Sequence, residues 1–171
     1  MKFKAVNPDR RSLPRPLGIL ALLLSLAMSG LGAQEAPSHE YSADGETTIE
    51  TVNGLRVITL RSNVFVRQED IELTGDVAVL EYDRNNQLQQ VRLTGSPANF
   101  EQKGSDESGS VTGFSDTINY YAGNEPVVEF IGNASFSQPG TSLRCAEIRH
   151  TIATGATSGQ ACSGSLSPQA N

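Results

Sequence analysis

Several residue types that often carry out chemistry are scarce in this sequence. It has no tryptophan, two histidines and two cysteines among 171 residues, and aromatic residues make up only 6%. We find no nucleophile elbow, metal-spaced histidine cluster or phosphate-binding loop. The carboxylates are scattered through turns and outward strand positions, as on a solvated surface. We therefore expect no catalytic residue, no metal site and no cofactor, with a glycosidase-like carboxylate pair as the weaker alternative.

Positive charge is scarce as well, with 13 lysines and arginines against 19 aspartates and glutamates. Five of the basic residues and one of the acidic ones lie within residues 1–33. Residues 34–171 therefore carry 8 against 18, a formal net charge of −10. Nucleic-acid binding depends on clustered lysine and arginine, so this balance excludes nucleic acid as an expected partner. An amphiphilic anion would have to be held mainly by apolar contacts.

The N-terminus lacks an apolar run long enough for a standard membrane-spanning helix. Basic residues precede an uncharged stretch at residues 17–32, "LGILALLLSLAMSGLG", which small residues follow. This three-part plan predicts a cleavable signal peptide over residues 1–33 and export from the cytoplasm. An uncleaved membrane anchor is the alternative, although the stretch falls short of the ~20 residues that a spanning helix needs.

Helical periodicity is absent from residue 40 onward. Short runs rich in Val, Ile, Thr, Tyr and Phe, such as "LRVITL", "VAVLEY" and "PVVEFIG", are separated by the turn signals "VNG", "DRNN", "AGNEP" and "QPGT". Short strands at such spacing indicate an all-β sandwich, roll or barrel. Residues 103–110, "KGSDESGS", are predicted to form a flexible loop, and residues 166–171 a flexible tail.

A pattern recurs along the predicted strands. The stretches "SNVFVRQ", "GSPANFEQ" and "GNASFSQ" resemble one another, and a small residue followed by Asp anchors successive copies at Asp44, Asp76 and Asp116, with Ala146 in the fourth place. These positions are 32, 40 and 30 residues apart. The chain is therefore predicted to consist of imperfect repeats of three or four strands each. Neighbouring repeats would bury a continuous core between them.

Cys145 and Cys162 are expected to form a disulfide, because an exported chain enters an oxidising compartment. If they face each other in an antiparallel hairpin, its midpoint lies between Ala153 and Thr154, where "TIATGAT" offers a turn. Such a bond would hold the last hairpin closed.

Together, "SADGETTIETVNGLRVITLRSNVFVRQEDIELTGDVAVLEYD", "VRLTGSPANFEQ" and the segment from "SVTGFSDTINYY" to "VVEFIGNASFSQ" resemble the LptA/OstA-like family of lipopolysaccharide transport proteins. The resemblance covers roughly residues 40–163. It implies a partly open β-jelly roll of two antiparallel sheets over residues 34–165, with lipopolysaccharide acyl chains between the sheets. It also implies a periplasmic location, inner-membrane-anchored and outer-membrane partners, head-to-tail self-association, and a carrier rather than an enzyme. The cysteine pair departs from the family's pattern.

Alternation along the strands predicts which side chains face the interior, and the resemblance implies that they form the lipid-binding groove. They are Val57, Ile71, Leu73, Ala78, Leu80, Ile118, Tyr120, Phe136, Leu143 and Ile148. The first strands, around residues 41–49, are expected to form an exposed edge that another copy completes, so that a proline at Thr48 would disrupt assembly. Two alternative functions stay open: a membrane-anchored member of the same transport system, and a secreted β-repeat scaffold without a lipid ligand.

Overall fold

The computed structural model describes residues 39–104 and 109–166. The predicted signal peptide, the centre of the predicted loop and residues 167–171 lie outside these ranges. Across the described residues, no helix has the length and hydropathy that a membrane crossing requires. The strands are β1 (His39–Ser42), β2 (Thr47–Val52), β3 (Leu55–Gln68), β4 (Ile71–Tyr82), β5 (Leu88–Gln102), β6 (Val111–Tyr121), β7 (Val127–Gln138), β8 (Thr141–Thr151), β9 (Ala156–Gln160) and β10 (Ser163–Leu166).

All strand pairs are antiparallel, and they form one continuous sheet. Strands β3 to β8 follow one another in the sheet as they do in the sequence. At one end β1 and β2 both pair with β3, and at the other end β9 and β10 both pair with β8. The two ends do not pair with each other within the described chain, so the sheet is an open roll with two edges.

Each long strand bends near its middle, where its register with a neighbour shifts. The β4–β5 pair has a further shift near one end, at Glu81/Tyr82. The mid-strand shifts fall at Arg61/Val64 in β3, Thr74/Val77 in β4, Thr94/Ala98 in β5, Phe114/Thr117 in β6 and Ile131/Ala134 in β7, and Ala146 is skipped in β8. The recurring small-residue and Asp anchors are therefore bend residues. What had been predicted as three or four short strands per repeat is a pair of long, bent strands.

The bends divide the sheet into two leaves. Leaf 1 comprises residues 47–52, 55–61, 77–82, 88–94, 117–121, 127–131, 147–151 and 156–160; leaf 2 comprises residues 39–42, 64–68, 71–74, 98–102, 111–114, 134–138, 141–145 and 163–166. One hydrophobic cluster contains side chains from both leaves. The predicted all-β, partly open jelly roll is thereby confirmed, with its two sheets formed by two halves of one bent sheet.

Asparagine and aspartate side chains connect neighbouring strands at the bends. Asn63 Nδ2 donates to Asp44 Oδ2 at 2.7 Å, and Asn133 Nδ2 donates to Asp116 Oδ2 at 2.9 Å. Gly132 precedes Asn133 with φ +78°, and a Cβ at this glycine would lie 2.6 Å from Asp116 Oδ2. Glycine supplies both the left-handed conformation and the space that this bend requires.

The predicted turn at "VNG" is a tight hairpin. Asn53 and Gly54 have φ values of 53° and 80°, and Val52 faces Leu55 across the two-residue loop. Positive φ at both central residues defines a type I′ turn, whose twist matches the flanking strands. The turn therefore fixes the register of β2 against β3.

Candidate functional site

The facing surfaces of the two leaves are apolar and buried. Eight of the ten predicted interior residues lie there with at most 6% of their surface exposed: Ile71, Leu73, Ala78, Leu80, Ile118, Tyr120, Phe136 and Ile148. Leu143 is half-buried and packs against this cluster. The structure therefore brings nine predicted side chains into one apolar interior. Their contact with lipid stays a prediction.

The predicted inward position of Val57 is wrong by one residue. Val57 is half-buried, whereas its neighbours Ile58 and Leu60 are 4% and 0% exposed and belong to the core. The stretch "RVITL" is apolar on both faces, so alternation alone does not determine its direction. The pairing of β3 with β4 determines which side chains face the interior, because Ile58 lies opposite Leu80 on the inner face.

Several core residues of β3, β5 and β7 were not predicted from the sequence. They are Ile58, Leu60, Val64, Val66, Val91, Leu93, Ala98, Phe100, Val128, Phe130 and Ala134. In β5 the alternation of Val91 with Leu93 and of Ala98 with Phe100 was a usable signal. The register shift between these two pairs hides the common direction from a simple count of alternate positions.

Phe130 makes the main aromatic contact between the two leaves. This leaf 1 side chain is fully buried, and its ring centroid lies 5.6 Å from that of Phe100 and 6.1 Å from that of Phe136, both in leaf 2. The ring occupies the space above Gly113, where a Cβ would lie 2.4 Å from Phe130 Cε1. A glycine in leaf 2 therefore makes room for a phenylalanine from leaf 1.

Polar aromatic side chains lie near the strand ends that face away from the bends. His39 in leaf 2 and Tyr82 in leaf 1 meet edge to face, with centroids 6.1 Å apart. Burial, with the nearby carboxylates of Glu69 and Asp70, raises the pKa of Tyr120 to about 12. We call the region where these strand ends meet, marked by His39, Tyr82 and Tyr120, the mouth of the roll.

His150 is a buried titratable group within the apolar interior. It is 1% exposed, its ring packs 4.8 Å from that of Phe136, and Nδ1 is hydrogen-bonded to Thr157 Oγ1 at 2.9 Å. Burial lowers the pKa of His150 below its ordinary value of 6.5. The neutral imidazole is therefore the form that the folded chain favours.

The free energy of unfolding is expected to decrease as the pH falls below about 6.5. In that range the unfolded chain binds a proton that folded His150 resists, so stability rises with pH at up to about 1.4 kcal/mol per unit for one proton. Urea titrations between pH 7.5 and 5 measure this slope. His150→Phe should reduce the slope without abolishing it, because burial also lowers the pKa of His39. An unchanged slope in the variant would contradict the assignment.

The predicted disulfide is confirmed: Cys145 and Cys162 are bonded. Their hairpin turns at residues 152–155, so that Thr151 faces Ala156, as the predicted midpoint requires. Gly159 lies beside the bond, and a Cβ there would lie 2.6 Å from Cys162 Sγ. The bond lies at the bend of β8 and connects β8 to the residues between β9 and β10. At two other bends, asparagine–aspartate pairs make the corresponding connection.

Replacing both cysteines with alanine is expected to lower the free energy of unfolding by about 3 kcal/mol, since a cross-link of this length restricts the unfolded chain. The lipid binding that the family resemblance implies should persist, because the bond lies in the last hairpin and away from the mouth. Urea unfolding measures the first effect, and lipid co-purification measures the second. Equal stability of the variant and the oxidised parent would contradict the expectation.

Both edges of the sheet leave inner-face apolar side chains exposed. At the first edge, Tyr41 lies opposite Val66 and Ile49 opposite Ile58, and these two side chains are 37% and 62% exposed. At the last edge, Leu166 lies opposite Thr141 and is 82% exposed. Leu166 was predicted to begin the flexible tail, but it belongs to β10. The apolar interior thus continues to both ends of the roll.

An open antiparallel roll with an apolar interior is the fold of a family of lipopolysaccharide transport proteins. The model of the family described as "LptA/(LptD N-terminal domain) LPS transport protein" matches residues 43–156, and the chain belongs to this family. The described residues contain no cluster of His, Cys, Asp and Glu that could hold a metal ion.

A curated relative is the lipopolysaccharide export system protein LptH of Pseudomonas aeruginosa. It is 29% identical over 133 residues, which span 77% of this chain and 73% of LptH. The crystal structure of LptH superposes on this chain with a TM-score of 0.67 at 22% identity. That structure is described as the LptA-homologous periplasmic component of the lipopolysaccharide transport device. The superposition covers 77% of this chain and 96% of the LptH chain. This likeness supports the fold.

Proposed function

We propose that the chain is a periplasmic carrier that moves lipopolysaccharide from the inner to the outer membrane, without catalysis. The observation that supports this proposal is the continuous apolar interior in a member of this transport family. Acyl chains gain about 0.8 kcal/mol for each CH₂ that leaves water. Several chains would therefore outweigh the repulsion between an anionic lipid and an acidic protein.

The mouth is the proposed entry for the acyl chains. The bends join the two leaves on the side opposite the mouth. If the leaves part, the strand ends beside Tyr82 and Tyr120 therefore move farther apart than the residues near the bends do. In the structure the inner faces touch through Phe130, Phe100 and Phe136. Acyl chains would replace these contacts with contacts of similar apolar character, which limits the cost of parting the leaves.

Photo-crosslinking residues at Ile71 and Leu80 are expected to capture lipopolysaccharide, because both side chains face the interior, one in each leaf. The matched controls are Glu72 and Glu81, the next residues along the same strands. Glu72 faces outward, where its carboxylate pairs with Lys103 and Arg67. Capture is measured by immunoblotting against lipopolysaccharide after irradiation. Equal capture at inward and outward positions would exclude the interior as the lipid site.

We further propose that copies of the chain associate head to tail, and that membrane-anchored and outer-membrane members of the family dock at the ends. Exposed inner-face residues at both edges, Tyr41 and Ile49 at one and Leu166 at the other, support this. Strand addition would pair the free backbone groups of the edge strands and cover these side chains. The apolar interior of one copy would then continue into the next.

Two measurements separate the alternatives. N-terminal sequencing of the exported protein distinguishes a soluble carrier, which begins near Gln34, from an anchored protein that retains residues 17–32. Mass spectrometry of the purified protein distinguishes a carrier, which retains an acylated glycolipid, from a scaffold, which retains none. A protein that carries no lipid even when expressed with intact lipopolysaccharide synthesis would refute the proposed function.

A further inference from the structure

The outer face of leaf 2 presents two cross-strand rows of mainly short polar side chains. One row is Ser42, Phe65, Thr74, Asn99, Phe114, Ser135, Arg144 and Ser163; the other is Glu40, Arg67, Glu72, Glu101, Thr112, Ser137, Ser142 and Ser165. These residues alternate with the core residues along each strand. They therefore face away from the proposed lipid interior.

Phe114 is the exception on the central part of this face. Its side chain is 41% exposed among Asn99, Thr112 and Ser135, whereas Phe65 in the same row lies beneath the Arg67 guanidinium at 5.0 Å. An aromatic ring on a polar strand face adds nothing to the core. It offers an apolar platform to a molecule outside the sheet.

Depressions adjoin Phe114 on both sides because its neighbours are small. The more enclosed one has a volume of about 320 Å³, at the lower end of the range of about 300–1,000 Å³ for small-molecule sites. Seven of its ten lining residues have hydroxyl, amide or carboxylate side chains, namely Glu72, Thr74, Asn99, Glu101, Thr112, Ser135 and Ser137. On the other side of the ring lie Asn133 and Arg144.

The charges around this more enclosed depression disfavour an anion. Glu72 accepts hydrogen bonds from Arg67 and from Lys103 at 2.5 Å, and Arg67 also pairs with Glu40, so that two carboxylates balance the two cations. Glu101 is exposed and adds a further negative charge. Carboxylates accept hydrogen bonds but repel phosphate or another carboxylate.

We propose that this face of leaf 2 binds a neutral saccharide. A sugar ring has an apolar C–H face that fits against Phe114, and its hydroxyl edge both donates and accepts hydrogen bonds. Asn99, Glu101, Thr112 and Ser135 surround the ring with complementary donors and acceptors. The site is separate from the proposed acyl site, since Asn99 and Glu101 flank the inward-facing Phe100 on the same strand. It does not depend on the proposed lipid transport.

The test is a titration of the isotopically labelled protein, followed by backbone amide shifts, with two probes that carry no acyl chain. One is the oligosaccharide released from lipopolysaccharide by removal of its lipid, with its phosphates also removed. The other is an unrelated neutral maltooligosaccharide. Shifts at Asn99, Thr112, Phe114 and Ser135 are the expected result with at least one probe. Binding of the first probe alone identifies the transported glycolipid's sugar as the source, and binding of both indicates a general saccharide site.

Phe114→Ala is expected to weaken saccharide binding about tenfold, the effect of losing one aromatic contact. Phe65→Ala, a change of the same size in the same row, should leave the affinity unchanged. Lipopolysaccharide capture at Ile71 should be the same in Phe114→Ala as in the parent, so a failure of the lipid proposal is visible separately. No shift with either probe, shifts confined to other surfaces, or equal affinity in Phe114→Ala and the parent would each overturn the saccharide site.

Discussion

Replacing Gly113 with valine is expected to lower the free energy of unfolding by about 3 kcal/mol or more, through overpacking of the core. A Cβ at this position would lie 2.4 Å from Phe130 Cε1 and 2.6 Å from Phe130 Cζ. Phe130 has no free space to move into, because it is fully buried between Phe100 and Phe136. Urea unfolding followed by circular dichroism measures the loss.

Thr112→Val is the matched control for this substitution. Thr112 is the preceding residue of β6 and is exposed on the outer face. The same β-branched side chain should therefore change the stability there by less than about 0.5 kcal/mol. Phe130→Ala should restore part of the stability of Gly113→Val, giving a favourable coupling in a double-mutant cycle. A Gly113→Val protein with the parent's urea midpoint would contradict the packing of Phe130 over Gly113.

Ile49→Pro is expected to abolish head-to-tail association while the isolated roll stays folded. In a two-residue hairpin the flanking residues, Val52 and Leu55, exchange hydrogen bonds, and such pairs alternate along the ladder. Thr48 therefore bonds to Thr59, whereas the N–H of Ile49 points away from β3 toward the free edge. Proline at Ile49 removes an outward donor and places its ring where a partner strand would pair.

Thr48→Pro is the matched comparison. Because of the register between β2 and β3, this substitution tests the hairpin and not the free edge. From the sequence, a proline at Thr48 was expected to remove a donor from the free edge. The pairing directs that N–H to β3, so Thr48→Pro should weaken the β2–β3 hairpin itself. Light scattering across a concentration series measures association, and hydrogen exchange at residues 55–60 measures the hairpin. An Ile49→Pro protein that associates like the parent would exclude strand addition at this edge.

The strands, the turns and the disulfide were predictable because each depends on residues close in sequence. The type I′ turn follows from "NG", and the cysteine pairing follows from one hairpin with its centre at residues 153–154. The anchors at Asp76 and Asp116 were visible as a repeat. That they are bends in continuous strands was not, because a bulge and a short turn use the same residue types.

The direction of each strand was predictable only where one face is polar. In β4, Glu72 and Glu81 identify the outer face, so Leu73 and Leu80 were assigned correctly. In β3, Val57 and Ile58 are equally apolar, and only pairing with β4 separates them. The contact of Phe130 with Gly113 joins two leaves, and no periodicity within one strand encodes a contact of that kind.

The bend in every long strand has a consequence for how the chain gains and loses structure. Neither leaf is a separate unit, since each hairpin contributes to both, and each strand pairs mainly with its neighbours in sequence. Contacts between sequence neighbours are formed early and at low entropic cost, so folding can proceed hairpin by hairpin along the chain. The same order governs local opening: amide protons in β1, β2, β9 and β10 should exchange first, and those in β5 and β6 last. The roll would then be most flexible at the two edges where we propose that neighbours dock, and most rigid halfway between them.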